Sequence, residues 1–298
     1  MKRIIIITFS LFFLLCTKAQ TLVVLGTTQD AGKPQLGCQK SCCKNLKHRF
    51  FVSSLGVTDT KNKRNYLFDA TPDITAQFER LSKTNGVTSI DGIFLTHAHS
   101  GHYTGLLYVG REGMNAGKIP VYAMPRFISY LTNNGPWSQL VTLGNIDLKP
   151  LQSDAPITLD SSLIVIPIVV PHRDEFSETV GYKIIGAKKS ALYIPDIDKW
   201  KLWQKNIVTE VKAVDFAFID GTFFEDGEIN RPIGDVPHPF ISESISLFRD
   251  EPLSVKQKIY FIHLNHTNPA HNNTSPQRIS VEKQGFRFAT LGAQFILN

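Results

Sequence analysis

Cysteine is scarce in this sequence. Of four residues, Cys16 directly follows an N-terminal apolar run, and Cys38, Cys42 and Cys43 share a single six-residue window. A dense disulfide framework is therefore excluded as the source of stability. Long apolar runs are missing beyond residues 4–15, so the body of the chain contains nothing like the roughly 20 apolar residues that a membrane-spanning helix needs. Repeats, low-complexity tracts and a linker are also absent. The Lys and Arg residues are scattered rather than gathered into a stripe, so no nucleic-acid partner is indicated.

Residues 1–19 have the form of a signal peptide. Lys2 and Arg3 make a basic start, residues 4–15 form an apolar stretch too short to span a bilayer, and Thr17 and Ala19 are the small residues that a signal peptidase requires. Cleavage after Ala19 leaves Gln20 at the new N-terminus, with the product exported to the periplasm or secreted. The rival is a lipid anchor on Cys16, the one route to a membrane, but Leu15 stands where a small residue normally precedes a lipidated cysteine. Removing Lys2, Arg3 and Lys18 lowers the formal net charge from +6 to +3. Three thiols then remain close together. An odd number in an exported protein implies either one disulfide with a free thiol or a metal that holds all three.

Residues 20–298 read as one domain. Strands are expected at 22–27, 50–58, 65–68, 92–96, 164–170, 180–185, 191–194, 216–220 and 258–262. Helices are expected from a cap at Asp73 through 83, and at 103–112, 199–212, 238–248 and 276–283. Several strands end in His or Asp, which predicts an α/β fold of two sheets between helices with a site along one rim. Trp200 and Trp203 are three residues apart on an expected helix, a spacing that packing produces, in a core or in the interface of a homodimer. His238 and His271 have two readings, as residues lining the pocket or, in preference, as residues that cap or decorate a loop and a helix start, and neither is assigned to the site.

The strongest chemical signal is Phe94-Leu-Thr-His-Ala-His-Ser-Gly-His-Tyr-Thr-Gly105. His97, His99 and His102 follow directly on an apolar strand, in a chain with nine histidines altogether. Imidazoles at that spacing can converge on a metal ion.

This segment resembles the metallo-β-lactamase superfamily, whose motif is His-x-His-x-Asp-His after a strand. The resemblance implies an αββα sandwich of two mixed sheets flanked by helices. It implies that one metal is held by His97, His99, His172 and Asp196, and a second by His102, His263 and Asp196, with Asp69 orienting a histidine ligand from behind. Asp196 and His102 are then the catalytic candidates. Gly101 departs from the motif by standing where the family has an aspartate, which leaves the second metal short of a ligand.

Three further stretches narrow the resemblance to the family of pyrroloquinoline-quinone biosynthesis protein B. They are Thr28-Gln-Asp-Ala-Gly with Pro34-Gln and the cysteine loop, Asp69-Ala-Thr-Pro-Asp-Ile-Thr-Ala-Gln77, and His263-Leu-Asn-His-Thr-Asn-Pro269. The cyclic phosphodiesterases of phosphonate breakdown are also similar in their Cys-rich loop and terminal His-x-x-His. That likeness implies a structural zinc on Cys38, Cys42, Cys43 and His266, although these families space their thiols differently.

The expected function is exported, metal-dependent hydrolysis of a small-molecule phosphodiester, ester or lactone, with one or two zinc ions at the active site and iron or manganese as alternatives there. Two rivals stand beside it. One is a role in quinone-cofactor biosynthesis through iron-dependent oxidation, which export argues against. The other is a catalytically silent metal-binding module.

Overall fold

The computed structural model describes residues 20–44, 46–229 and 236–298. The signal peptide, its cleavage point and Cys16 lie outside the described residues.

The described residues build two seven-stranded sheets. The first contains β1 (Gln20–Gly26), β2 (Ser54–Asp59), β3 (Arg64–Phe68), β4 (Gly92–Phe94), β5 (Ile119–Ala123) and β6 (Ile146–Pro150). The second contains β7 (Ile157–Thr158), β8 (Ile164–Val169), β9 (Val180–Ile185), β10 (Ser190–Ile194), β11 (Phe216–Asp220), β12 (Ile259–Ile262) and β13 (Arg287–Phe288), while β14 (Gln294–Ile296) returns to pair with β1. Both sheets are mixed. Strands β3 to β6 are parallel, as are β10 to β13, and the others are antiparallel.

The strands are apolar on both faces because both faces are covered. Along β1, Leu22 and Val24 point into the layer between the sheets, where they meet Phe68, Phe94, Tyr182, Tyr193 and Phe218. Val23 and Leu25, on the alternate face, pack beneath α1 (Ile74–Asn85), α3 (Pro125–Asn133) and α4 (Trp137–Thr142) with Leu81, Phe127 and Leu140. Across the second sheet, Leu192, Ile219 and Phe261 face Val211 of α5 (Ile207–Lys212), Ile241 of α6 (Ile241–Leu247), Val255 of α7 (Leu253–Lys256) and Val281 of α8 (Pro276–Lys283). The order of layers is helix, sheet, sheet, helix.

Three expected helices differ from the sequence reading. In place of 103–112 there is a short α2 (Ser100–Tyr103) followed by a 3₁₀ turn, Thr104–Val109. Gly105 lets this turn press onto the segment after β3, where a Cβ would lie 2.0 Å from the Thr71 carbonyl oxygen. The expected helix 199–212 is interrupted because the Asn206 side chain accepts from the amides of Val208 and Thr209 and starts α5 there. Trp200 and Trp203 are buried in the outer core and donate to Ser244 Oγ and the Val169 carbonyl. The helix expected from 238 begins at Ile241, since Pro237 and Pro239 bias their neighbours toward extended backbone. That leaves His238 on a loop, free to reach the site described next.

Candidate metal centre

The histidines and carboxylates gather where the parallel strands end, at the carboxyl edge of both sheets. Asp69 follows β3, His97 lies just beyond β4, Asp196 follows β10, Asp220 closes β11 and His263 follows β12. Asp69 and His263 adopt left-handed backbone, with φ of 70° and 64°. Such angles cost on the order of 1–3 kcal/mol in a non-glycine residue and persist where surrounding contacts over-determine them.

One donor set comprises His97, His99, His172 and Asp196. His97 Nε2 lies 2.8 Å from His99 Nδ1 and 3.3 Å from Asp196 Oδ2, and His172 Nε2 lies 3.3 Å from His99 Nδ1 and 3.2 Å from Asp196 Oδ1. Donors about 2.0–2.1 Å from a tetrahedral ion stand roughly 3.3 Å apart, so these spacings fit a common ion. A second set comprises Asp30, His102, Asp196 and His263. Asp196 belongs to both. Asp30 Oδ1, His102 Nε2, His263 Nε2 and Asp196 Oδ1 are buried and make no well-aligned hydrogen bond although they stand close together, as donors converging on one ion would.

Behind each imidazole a partner fixes the ring. Thr96 Oγ1 is 3.0 Å from His97 Nδ1, Asp198 Oδ1 is 2.9 Å from His172 Nδ1, and Thr222 Oγ1 is 2.9 Å from His263 Nδ1. Asp69 Oδ1 accepts from the Thr96 amide at 2.8 Å, and Oδ2 accepts from His102 Nδ1 at 2.7 Å. Asp69 thus stands behind His102, as the resemblance implied. His99 is turned the other way, with Nδ1 inward and Nε2 3.3 Å from Glu175 Oε2.

Charge follows burial and pairing. Burial holds the His97 imidazole well below its ordinary value, keeping it in the neutral form that coordinates. Burial would also lower His172, but the charge of Asp196 and bonds to Asp196 and Asp198 raise it to about 9. Asp196 is buried, which favours its neutral form, yet His172 and His238 hold it well below the usual carboxylate range.

Two residues read otherwise from sequence belong here. His238, taken as a loop residue, is buried, and its Nδ1 lies 2.9 Å from Asp220 Oδ2 and 3.1 Å from Asp196 Oδ1. Asp220, His238 and His263 form another convergent group. Asp220 ends its strand as Asp196 nearly does, and that shared pattern was visible in the sequence; for His238 the pocket-lining reading, left aside in favour of a loop residue, is the one that the structure bears out. The expectation was that Gly101 leaves the second set, His102, His263 and Asp196, short of one ligand. Gly101 contributes no side chain, but Asp30 brings its Oδ1 to 3.0 Å from His102 Nε2 and 3.5 Å from His263 Nε2. His271 stays outside the centre and packs against Phe50.

A separate group stands on the loop after β1. Cys38, Cys42, Cys43 and His266 have their donor atoms within 4.8 Å of one another, and the three thiols are free. Cys42 and Cys43 Sγ are 3.9 Å apart, near the roughly 3.8 Å that tetrahedral zinc–thiolate bonds of about 2.3 Å would give. His266 and His263 are three residues apart and serve different groups.

Residues 64–288 match the family model of the beta-lactamase superfamily domain, and the chain belongs to that family. It is 28% identical over 310 residues to coenzyme PQQ synthesis protein B of Klebsiella pneumoniae (strain 342), covering 92% of this chain and 97% of that protein. Its fold is similar to that of Zn(2+)-bound PqqB from Methylobacterium extorquens, with a TM-score of 0.73 at 21% identity over 92% of this chain and 99% of that one. A diphosphatase from the PhnP family shares the fold at a TM-score of 0.63 and 23% identity, covering 93% and 96% of the two chains.

Proposed function

We propose, with membership of the beta-lactamase superfamily as the premise, that this chain is a metal-dependent hydrolase of a small-molecule phosphodiester, with an ester or lactone as the next class. One observation carries the reading: two sets of convergent donors share Asp196, and four of their atoms are buried without a hydrogen bond. His97, His99, His172 and Asp196 would hold one ion, and His102, His263 and Asp196 the other. Zinc suits imidazole and carboxylate donors, and the zinc-bound PqqB of the same fold supports that choice. A pair of such ions lowers the pKa of water and clamps attacking and leaving oxygens.

The chain's own residues keep that arrangement ready. Asp69, Asp198, Thr96 and Thr222 fix the histidine rings. Against the pull of burial, the charges of Asp196 and Asp220 raise the His238 imidazole well above its ordinary value, and its Nδ1–H donates to Asp220 Oδ2 at 2.9 Å while standing 3.1 Å from Asp196 Oδ1. Export rests on the pattern of residues 1–19 alone. The test is hydrolysis of bis(p-nitrophenyl) phosphate and a panel of lactones by zinc-loaded protein. Activity that disappears in His97→Ala supports the reading, and inertness toward every substrate removes it.

A second reading is favoured by the near full-length match to coenzyme PQQ synthesis protein B, namely a role in quinone-cofactor biosynthesis. Iron in the purified protein together with reductant-dependent oxygen uptake would select it over hydrolysis.

A further inference from the structure

The motif glycine and Asp30 compete for one volume. A Cβ built on Gly101 would lie 2.4 Å from Asp30 Cα, 2.8 Å from its Cβ and 2.7 Å from its Oδ1. Carbon atoms do not approach so closely, so no side chain fits at 101 while Asp30 stays in place. Asp30 therefore fills the space that an aspartate in the motif would occupy.

Its place is set by the scaffold. The amide of Gln29 donates to the Leu264 carbonyl at 3.0 Å, the Leu264 amide donates to Thr27 at 2.8 Å, and the Ser53 amide donates to Thr28 at 2.8 Å. The first two bonds clamp the segment before Asp30 to the residue that follows His263, and the third ties it to the residue before β2. Asp30 Oδ1 lies 3.0 Å from His102 Nε2 and 3.5 Å from His263 Nε2, and all three atoms are buried and without a hydrogen bond. Tetrahedral coordination asks for about that spacing.

We propose that Asp30 is a direct ligand of the second metal, so that the carboxylate missing from the histidine motif has moved from α2 to the loop after β1. The proposal rests on the two-metal reading of the centre given above. It also explains why position 101 is glycine: with the ligand supplied from another loop, a side chain there would push it away.

Metal equivalents per chain, counted by plasma mass spectrometry with zinc competition titrations, test this on the wild type, Asp30→Asn, Asp30→Ala, Gly101→Ala and Cys42→Ser. The wild type is expected to hold about three equivalents, of which Cys42→Ser lacks one. Both Asp30 variants should bind one of the remaining two at least about ten-fold more weakly, because a direct ligand matters no less than a supporting residue. Gly101→Ala should weaken the same equivalent although alanine offers no donor, and retention of the Cys-loop equivalent reports that the variants are folded. If both Asp30 variants bind all three within about two-fold of wild type, the Asp30 assignment is overturned while the two-metal reading stands. A wild type with a single equivalent outside the Cys loop overturns both.

Discussion

Asp69 Oδ2 accepts a 2.7 Å hydrogen bond from His102 Nδ1, with both side chains shut off from solvent. The bond fixes which imidazole nitrogen faces the centre, and Asp69 stands at φ 70° to make it. Asp69→Asn should weaken the metal held by His102 by about 10–100-fold and leave the Cys-loop metal untouched. A competition titration with a chelator measures this, and a change below about two-fold would remove the orienting role.

Metal uptake should depend on pH through His172, whose imidazole is raised to about 9 in the metal-free chain. Coordination needs the neutral ring, so binding must displace a proton at any pH below about 9. Apparent affinity should climb by roughly ten-fold per pH unit for that one proton between pH 7 and 9, then level off. Asp198→Asn takes away one of the groups that raise His172, so its curve should level off at lower pH. Identical curves would contradict this.

Cys42→Ser should lose the loop metal and nothing else. Its thermal midpoint should fall by several degrees, at roughly 2–4 °C for each kcal/mol lost in a domain of this size. Scanning calorimetry beside a metal count checks both, and an unchanged midpoint with full metal content would rule out a structural site there.

His271 gives a prediction about folding stability. Burial lowers its imidazole to about 3, and Nε2 lies 3.0 Å from the Asn265 carbonyl oxygen, to which it donates as the neutral ring. The unfolded chain takes up that proton near the ordinary value of 6.5. Between the two values the unfolded state binds more protons, so stability present above about 6.5 is lost as pH falls toward about 3. The loss is at most about 1.4 kcal/mol per pH unit. Denaturant unfolding should show a shallower acid slope in His271→Gln than in wild type, and parallel slopes would refute the assignment.

The sandwich was largely legible in the sequence. Strands such as 22–27 and 216–220 are short apolar runs bounded by polar turns, and the carboxyl ends of 65–68, 92–96, 216–220 and 258–262 carry or run into His or Asp. The His97-Ala-His99-Ser-Gly-His102 cluster and the family resemblance around it identified most donors that the structure brings together. Helix limits were less readable, because local contacts decided them: Asn206 capping α5, Gly105 pressed onto the turn after β3, and Pro239 delaying α6.

Asp30 and His238 show what only the tertiary structure decided. Each is ambiguous in its own stretch of chain, one in a turn after the first strand and the other between two prolines. Their chemistry depends on atoms far away in sequence: His102 and His263 for Asp30, Asp196 and Asp220 for His238. The sequence by itself marked nine of the fourteen strands among the described residues, missing β5, β6, β7, β13 and β14, and it placed the motif histidines after a strand, since apolar periodicity and spacing are local properties. The place of Asp30 beside His102 and His263 was decided only when backbone pairing laid the loop after β1 against the end of β12, at a distance that no local pattern encodes.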